Sequence, residues 1–167
     1  MASPIQEHST DTRAGKYLTF ELAGEAYGIE IIKVREIIGM MAITHVPRMP
    51  NYVLGVTNLR GKVIPVIDLR LKFNMEFAAQ TPETCIIVVD VDGNQMGIKV
   101  DQVSEVLDIP GSDIEDPPTV DSSVDSSFIT GMGKAKDRVN ILLDIGHVIT
   151  GPGMIDVAAI TENMPEA

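Results

Sequence analysis

The stretch Leu18-Thr19-Phe20-Glu21-Leu22-Ala23-Gly24-Glu25-Ala26-Tyr27-Gly28-Ile29 returns 69 residues later as Ile87-Val88-Val89-Asp90-Val91-Asp92-Gly93-Asn94-Gln95-Met96-Gly97-Ile98. No gap is needed, and the register continues: Ile29 to Ile38 falls on Ile98 to Leu107, so Val34 meets Val103, Glu36 meets Glu105 and Ile37 meets Val106. Five of the 21 positions from 18 to 38 are identical. Two of the identities are Gly24/Gly93 and Gly28/Gly97, which backbone freedom explains. A second pair of blocks follows in the same order, Val56 to Gly61 with Val66 to Leu69, then Ile129 to Gly133 with Leu142 to Ile145. Duplication of one unit is the economical reading, with copies over residues 17–73 and 85–146.

Each copy opens with period-two alternation, Leu18/Phe20/Leu22 or Ile87/Val89/Val91, then a glycine turn and a second strand, which is a hairpin. Ile31, Val34 and Ile38, and likewise Val100, Val103 and Leu107, stand at i, i+3 and i+7, so one or two helical turns are expected there. A second hairpin follows, turning at Leu59-Arg60-Gly61-Lys62 in one copy and between Gly131 and Asp137 in the other. Short strands with frequent turn signals point to small barrels. Asn74 to Pro82 reads as a polar connector and Pro110 to Ser127 as an acidic stretch, mostly loop. Residues 1–15 read as a disordered polar tail, and residues 149–167 as a tail with a short helix over Ile155 to Glu162.

A chain of 167 residues, 44% hydrophobic, is long enough to bury its own core. Cys85 is the single cysteine, so it has no disulfide partner in the chain and reads as a small buried hydrophobe. No secretory signal and no apolar run approaching the ~18 residues of a membrane span is present, so a cytoplasmic protein is expected. The net charge of −11 disfavours nucleic acid and anionic lipid as partners, since both need clustered Lys and Arg. Trp is absent and aromatics are only 4%, which argues against a stacking platform for single strands. Protein remains as the partner class.

Catalytic machinery is not visible. His8, His45 and His147 have no His or Cys at metal-ligand spacing. Gly131-Met132-Gly133-Lys134 lacks the Walker spacing and the Ser or Thr after Lys. Asp68 and Asp144 occupy equivalent strand ends, where Asp usually caps or turns the chain. An enzyme built from Asp68, Asp90, Asp92 and Asp144 is the competing reading from another class, and no perturbing His, Lys or metal set accompanies them. No cofactor and no metal are expected.

Tyr27-Gly28-Ile29, Gly55-Val56-Thr57-Asn58-Leu59-Arg60-Gly61, Val66-Ile67-Asp68-Leu69-Arg70, Met96-Gly97-Ile98 and Thr130-Gly131-Met132-Gly133 occur in an order that resembles the CheW family of chemotaxis coupling proteins. The resemblance covers residues 16–148. It implies a mainly β fold of two SH3-like five-stranded barrels around a shared hydrophobic core, with short helices. It also implies a non-enzymatic adaptor joining chemoreceptor cytoplasmic tips to the regulatory domain of the histidine kinase CheA. A kinase or a CheV-type protein would need further segments that do not fit in 167 residues. An adaptor of the same fold in a non-flagellar system, such as one serving a type IV pilus, is the alternative within the binding class.

The positions matching the family's receptor groove are Val34, Glu36, Ile37, Asn58, Leu59, Arg60, Val103 and Val106. Each has a plainer explanation: Val34 and Val103 as core, Glu36 as a solvated acid, Arg60 as a turn residue ahead of Gly61. The matching kinase segment is Ile109 to Val120, with Ile114, Glu115 and Val120 as contacts, although Asp113, Glu115 and Asp116 make it more acidic than the family pattern suggests.

Overall fold

The computed structural model describes residues 12–117 and 128–150. The helix expected over Ile155 to Glu162 lies outside the described residues, as does Val120. In chain order the strands are β1 (Gly15–Leu22), β2 (Glu25–Glu30), β3 (Val34–Gly39), β4 (Val53–Leu59), β5 (Lys62–Asp68), β6 (Cys85–Val91), β7 (Asn94–Val100), β8 (Gln102–Ile109), β9 (Ile114–Glu115), β10 (Ile129–Ala135) and β11 (Arg138–Leu143). Helix α1 (Leu69–Lys72) follows β5 and α2 (Ile145–Thr150) follows β11; 3₁₀ turns at Ile31–Lys33 and Gly111–Asp113 precede β3 and β9.

The strands form two sheets, ordered β8-β1-β2-β11-β10-β9 and β3-β6-β7-β5-β4. Each closes on itself. In the first, β9 continues from β8 around the Gly111–Asp113 turn and pairs with β10, Met132 opposite Glu115 and Gly133 opposite Ile114. In the second, Thr44 bridges back to Val56 through hydrogen bonds of 2.8 and 2.9 Å. Counting β8 and β9 as one bent strand, both are five-stranded SH3-like barrels.

Neither barrel is made from one copy of the repeat. The first takes β1 and β2 from the first copy and β8 to β11 from the second; the second takes β3, β4 and β5 from the first and β6 and β7 from the second. The exchange is symmetric. Two parallel pairings make the seams, Leu142 beside Gly28 and Val66 beside Gly97, and the other strand pairings are antiparallel.

The expected helical turns are strands, and the sheet faces explain why. Val34 lies opposite Val89, in the core between the barrels, whereas Ile38 lies opposite Ile86, inside the second barrel. Val103 and Leu107 divide the same way, between the shared core and the interior of the first barrel. Residues that spacing put on one helix face thus sit on opposite faces of a strand. A β-bulge between Val34 and Glu36 shifts the alternation and imitates the helical period. Only Ile31–Lys33 winds, as a single 3₁₀ turn. Pairing to β6 supplies the hydrogen bonds, and the β-branched Val34, Ile37 and Ile38 suit it.

Three cores result. The largest lies between the barrels and includes Leu18, Phe20, Ile29, Ile87, Val89, Met96, Ile98 and Leu143. Ile64, Val66, Ile86 and Val88 fill the second barrel, and Tyr17, Ile109, Ile114 and Leu142 the first. Tyr27, in the shared core, stacks between Phe20 and Phe73. Removal from water pushes its hydroxyl pKa up.

Four hairpin turns, at Ala23-Gly24, Arg60-Gly61, Asp92-Gly93 and Lys136-Asp137, have positive φ at both central residues, the type I′ geometry that matches strand twist. Backbone freedom therefore accounts for Gly24 and Gly93. Gly28 and Gly97 are a correction, because neither has positive φ. Packing bears on them instead: a Cβ on Gly97 would lie 2.6 Å from Ile86 Cγ2 and force a shift, and one on Gly28 would crowd Leu142 Cδ2 at 3.1 Å.

Candidate functional site

The β4–β5 turn carries the most distinctive local chemistry. Arg60 adopts φ 52°, left-handed geometry unusual for a side chain with a Cβ. Asn58 supports it: its side-chain oxygen accepts from the Gly61 N–H at 2.8 Å. The Arg60 guanidinium donates to the Glu36 carboxylate on β3, at the opposite end of the strand order. With Val34, Arg35, Leu59, Lys62 and Gln95 the pair lines an open depression of about 430 Å³. Leu59 is buried, plugging the end of the second barrel beneath the turn. Its part in the depression is to hold the floor.

Ile37 points the other way along β3. It sits opposite Ile87, on the face turned toward the shared core, yet remains 46% exposed. On β8, Val106 sits opposite Leu18, also on the shared-core face, and is 47% exposed. Val34 and Val103 are partly buried against the same core. By strand register these four lie on the faces turned toward the shared core, two on each barrel, with Ile37 and Val106 exposed and Val34 and Val103 partly buried. The eight sequence-derived positions thus divide into a polar turn cluster, Glu36, Asn58, Leu59 and Arg60, and an apolar seam, Ile37, Val103 and Val106, with Val34 lining both.

Sequence reasoning missed a counterpart to the turn cluster. Lys136, in the β10–β11 turn, donates to Glu105 on β8 at 2.7 Å. Glu105 is the repeat mate of Glu36, and Lys136 stands to Arg60 as Asp144 does to Asp68, 76 residues on. The signal was present in the spacing, but the second-copy turn lacks the glycine that marks the first.

In the segment after β8, Ile114 is buried among Tyr17, Ile109 and Leu142. Its side chain seals the first barrel, so the accessible part of this segment is its acidic side chains. Glu115 is exposed and pairs with Lys134 at 2.8 Å, and Asp116 pairs with Arg13 at 2.9 Å. Asp68 and Asp144 act as caps: Asp68 Oδ1 accepts from the Arg70 and Leu71 N–H groups, and Asp144 Oδ1 from the His147 N–H. Cys85 is half-buried at the margin of the shared core, and loss of solvation pushes its thiol pKa up. Among the described residues, no His, Cys, Asp and Glu cluster has the geometry to hold a metal ion, and no helix is long and apolar enough to cross a membrane.

Two SH3-like barrels with exchanged strands, an exposed apolar margin and an ion-paired turn beside it define a two-barrel SH3-like protein with an accessible surface between polar and apolar side chains. The CheW-like domain family matches residues 16–152, and the chain belongs to that family. The chemotaxis protein CheW of Klebsiella aerogenes is 34% identical over 163 residues, covering 98% of this chain and 96% of the relative. That of Helicobacter pylori is 36% identical over 135 residues, covering 80% and 81%. A crystal structure of the scaffolding protein CheW from Thermoanaerobacter tengcongensis superposes with a TM-score of 0.76 at 36% identity, covering 84% of this chain and 95% of that one.

Proposed function

We propose that this protein is a non-enzymatic cytoplasmic adaptor that couples the cytoplasmic tips of chemoreceptors to the regulatory domain of a CheA-type histidine kinase. The observation that carries the reading is the seam: exposed Ile37 and Val106 continue a buried core to the surface, beside a turn whose Arg60 and Glu36 are paired and accessible. A receptor helical hairpin laid along it covers the apolar margins, each worth ~1.5–3 kcal/mol when fully buried. Arg60 and Glu36 then set its orientation by charge. After the cost of association, a few such anchors leave about −8 kcal/mol, or micromolar affinity, which suits contacts that rearrange during signalling.

Val34 and Asn58 contribute to this surface, Leu59 supports it from beneath, and Val103 extends it on the other barrel. The kinase contact in this reading uses the exposed acids Glu115 and Asp116, with Val120 beyond the described residues. Residues 16–148 carry the module, and it needs no cofactor.

The test is co-sedimentation of wild type and Arg60→Glu with receptor cytoplasmic fragments. Loss of receptor binding with an unchanged melting curve is expected; equal binding by both removes Arg60 from the site. Charge reversal at Glu115 and Asp116 is expected to weaken capture of the kinase regulatory domain, and unchanged capture removes that segment from the kinase contact.

A further inference from the structure

The chain crosses between barrels at two equivalent places, and the two are built differently. From β2 to β3 it passes through Ile31–Lys33; from β7 to β8 it passes through Asp101. The repeat offset of 69 sets Asp101 over Ile32, and the offset of 76 between the second hairpins sets Arg70 over Gly146.

At the second crossover one carboxylate joins the two barrels. Arg70, from α1 of the second barrel, donates Nε to Asp101 Oδ1 at 2.7 Å and a terminal nitrogen to Oδ2 at 2.6 Å. The same Oδ2 accepts from the Ala23 N–H in the β1–β2 turn of the first barrel at 2.8 Å. The Asp101 N–H donates to the Glu21 carbonyl at 3.1 Å. Arg70 is itself held, its backbone N–H on Asp68 Oδ1 at 2.9 Å and its guanidinium on the Glu76 carbonyl at 3.2 Å. Both side chains are partly buried, and a two-pronged charge-assisted pair of this kind specifies angle as well as distance. The opposite crossover has Ile32, 80% exposed, where Asp101 would be, and Gly146 in place of the arginine.

We infer that Arg70 and Asp101 are positioning residues for the seam: their pair latches one crossover, fixes the angle between the barrels, and so sets the spacing of the margins that carry Ile37 and Val106. The angle itself is independent of the receptor reading; only its consequence for binding rests on that reading. Loosening the latch lets the barrels pivot about the shared core while each barrel keeps its strand pairing.

The experiment measures the angle directly. Spin labels at Arg35→Cys on β3 and Ser104→Cys on β8, in a Cys85→Ala background, report the distance between the barrels by double electron–electron resonance. The parent is expected to give one narrow distance distribution. Asp101→Asn and Arg70→Lys are each expected to broaden or shift it while cooperative unfolding persists. Combining them is expected to add little to the larger single effect, as members of one contact do. Distributions that superimpose on the parent's in both variants overturn the proposal. Should Asp101→Asn fail to fold, Arg70→Lys, which keeps the charge but not the fork, decides alone. In unlabelled protein, receptor binding is expected to weaken about tenfold, a typical coupling between sites. A changed distance with unchanged binding supports the latch and removes the seam from receptor recognition; weakened binding with an unchanged distance overturns the latch.

Discussion

Alanine at Gly97 probes the seam where the two copies of the repeat interlock. The added Cβ would stand 2.6 Å from Ile86 Cγ2 and 3.5 Å from Val66 Cγ2. Ile86 and Val66 are fully buried inside the second barrel, so the contact is relieved only by moving a packed side chain or the parallel β5–β7 pairing. Overpacking of this kind costs ~1–3 kcal/mol. Removing a glycine from a strand returns up to ~1 kcal/mol through the unfolded chain. A net loss of about 1–2 kcal/mol lowers the Tm by about 2–8 °C in a chain of this size. Gly28→Ala meets a flexible tip, Leu142 Cδ2, at 3.1 Å and is expected to lose less. Thermal melts by circular dichroism and urea titrations measure both. Ile86→Leu removes the branched methyl that the new Cβ strikes, so Ile86→Leu with Gly97→Ala should be more stable than the sum of the singles by ~0.5 kcal/mol or more. A Gly97→Ala protein as stable as wild type, or strict additivity in the double variant, refutes the packing explanation.

The Arg70 hydrogen bond is the main reason that Asp101 has a pKa below the ordinary carboxylate range. A pKa depressed by folding contributes stability that is present above the unfolded value, about 4, and lost as pH falls through the folded value. Urea unfolding at pH 7 and below pH 4 should show a shallower acid loss in Asp101→Asn than in wild type, and parallel losses would count against the pairing. Cys85, its thiol pKa raised by burial, should react with a thiol reagent much more slowly in the native protein than in urea at pH 8; equal rates would contradict its placement. Asn58→Ala removes the acceptor of the Gly61 N–H and should lower stability by ~0.5–1.5 kcal/mol, read as a shift in urea midpoint. Lys136→Ala breaks an exposed pair with Glu105, for which a change beyond ~1 kcal/mol would be unexpected.

Much of the architecture was legible in the chain. The Leu18/Phe20/Leu22 and Ile87/Val89/Val91 alternations and the glycine turns after them declare hairpins because side-chain direction has period two in a strand and type I′ turns demand positive φ. The ordered motifs around Asn58-Leu59-Arg60-Gly61 carry the family. Where local spacing misled, at Val34 to Ile38 and Val103 to Leu107, the cause was a bulge together with a strand that serves a different core on each face. Periodicity assumes one buried face, and these strands have two.

The repeat, the hairpins and the residue types at the turn can be read from the chain alone. Strand pairing across the fold settles that each barrel borrows strands from both copies, that Gly97 answers to packing rather than to φ, that Ile114 is core, and that Arg70 reaches Asp101. The reason is the same in each case. Local propensity acts over a few residues, whereas these contacts join positions such as Gly97 and Val66 or Arg70 and Asp101, which become neighbours only once the strands have chosen their partners.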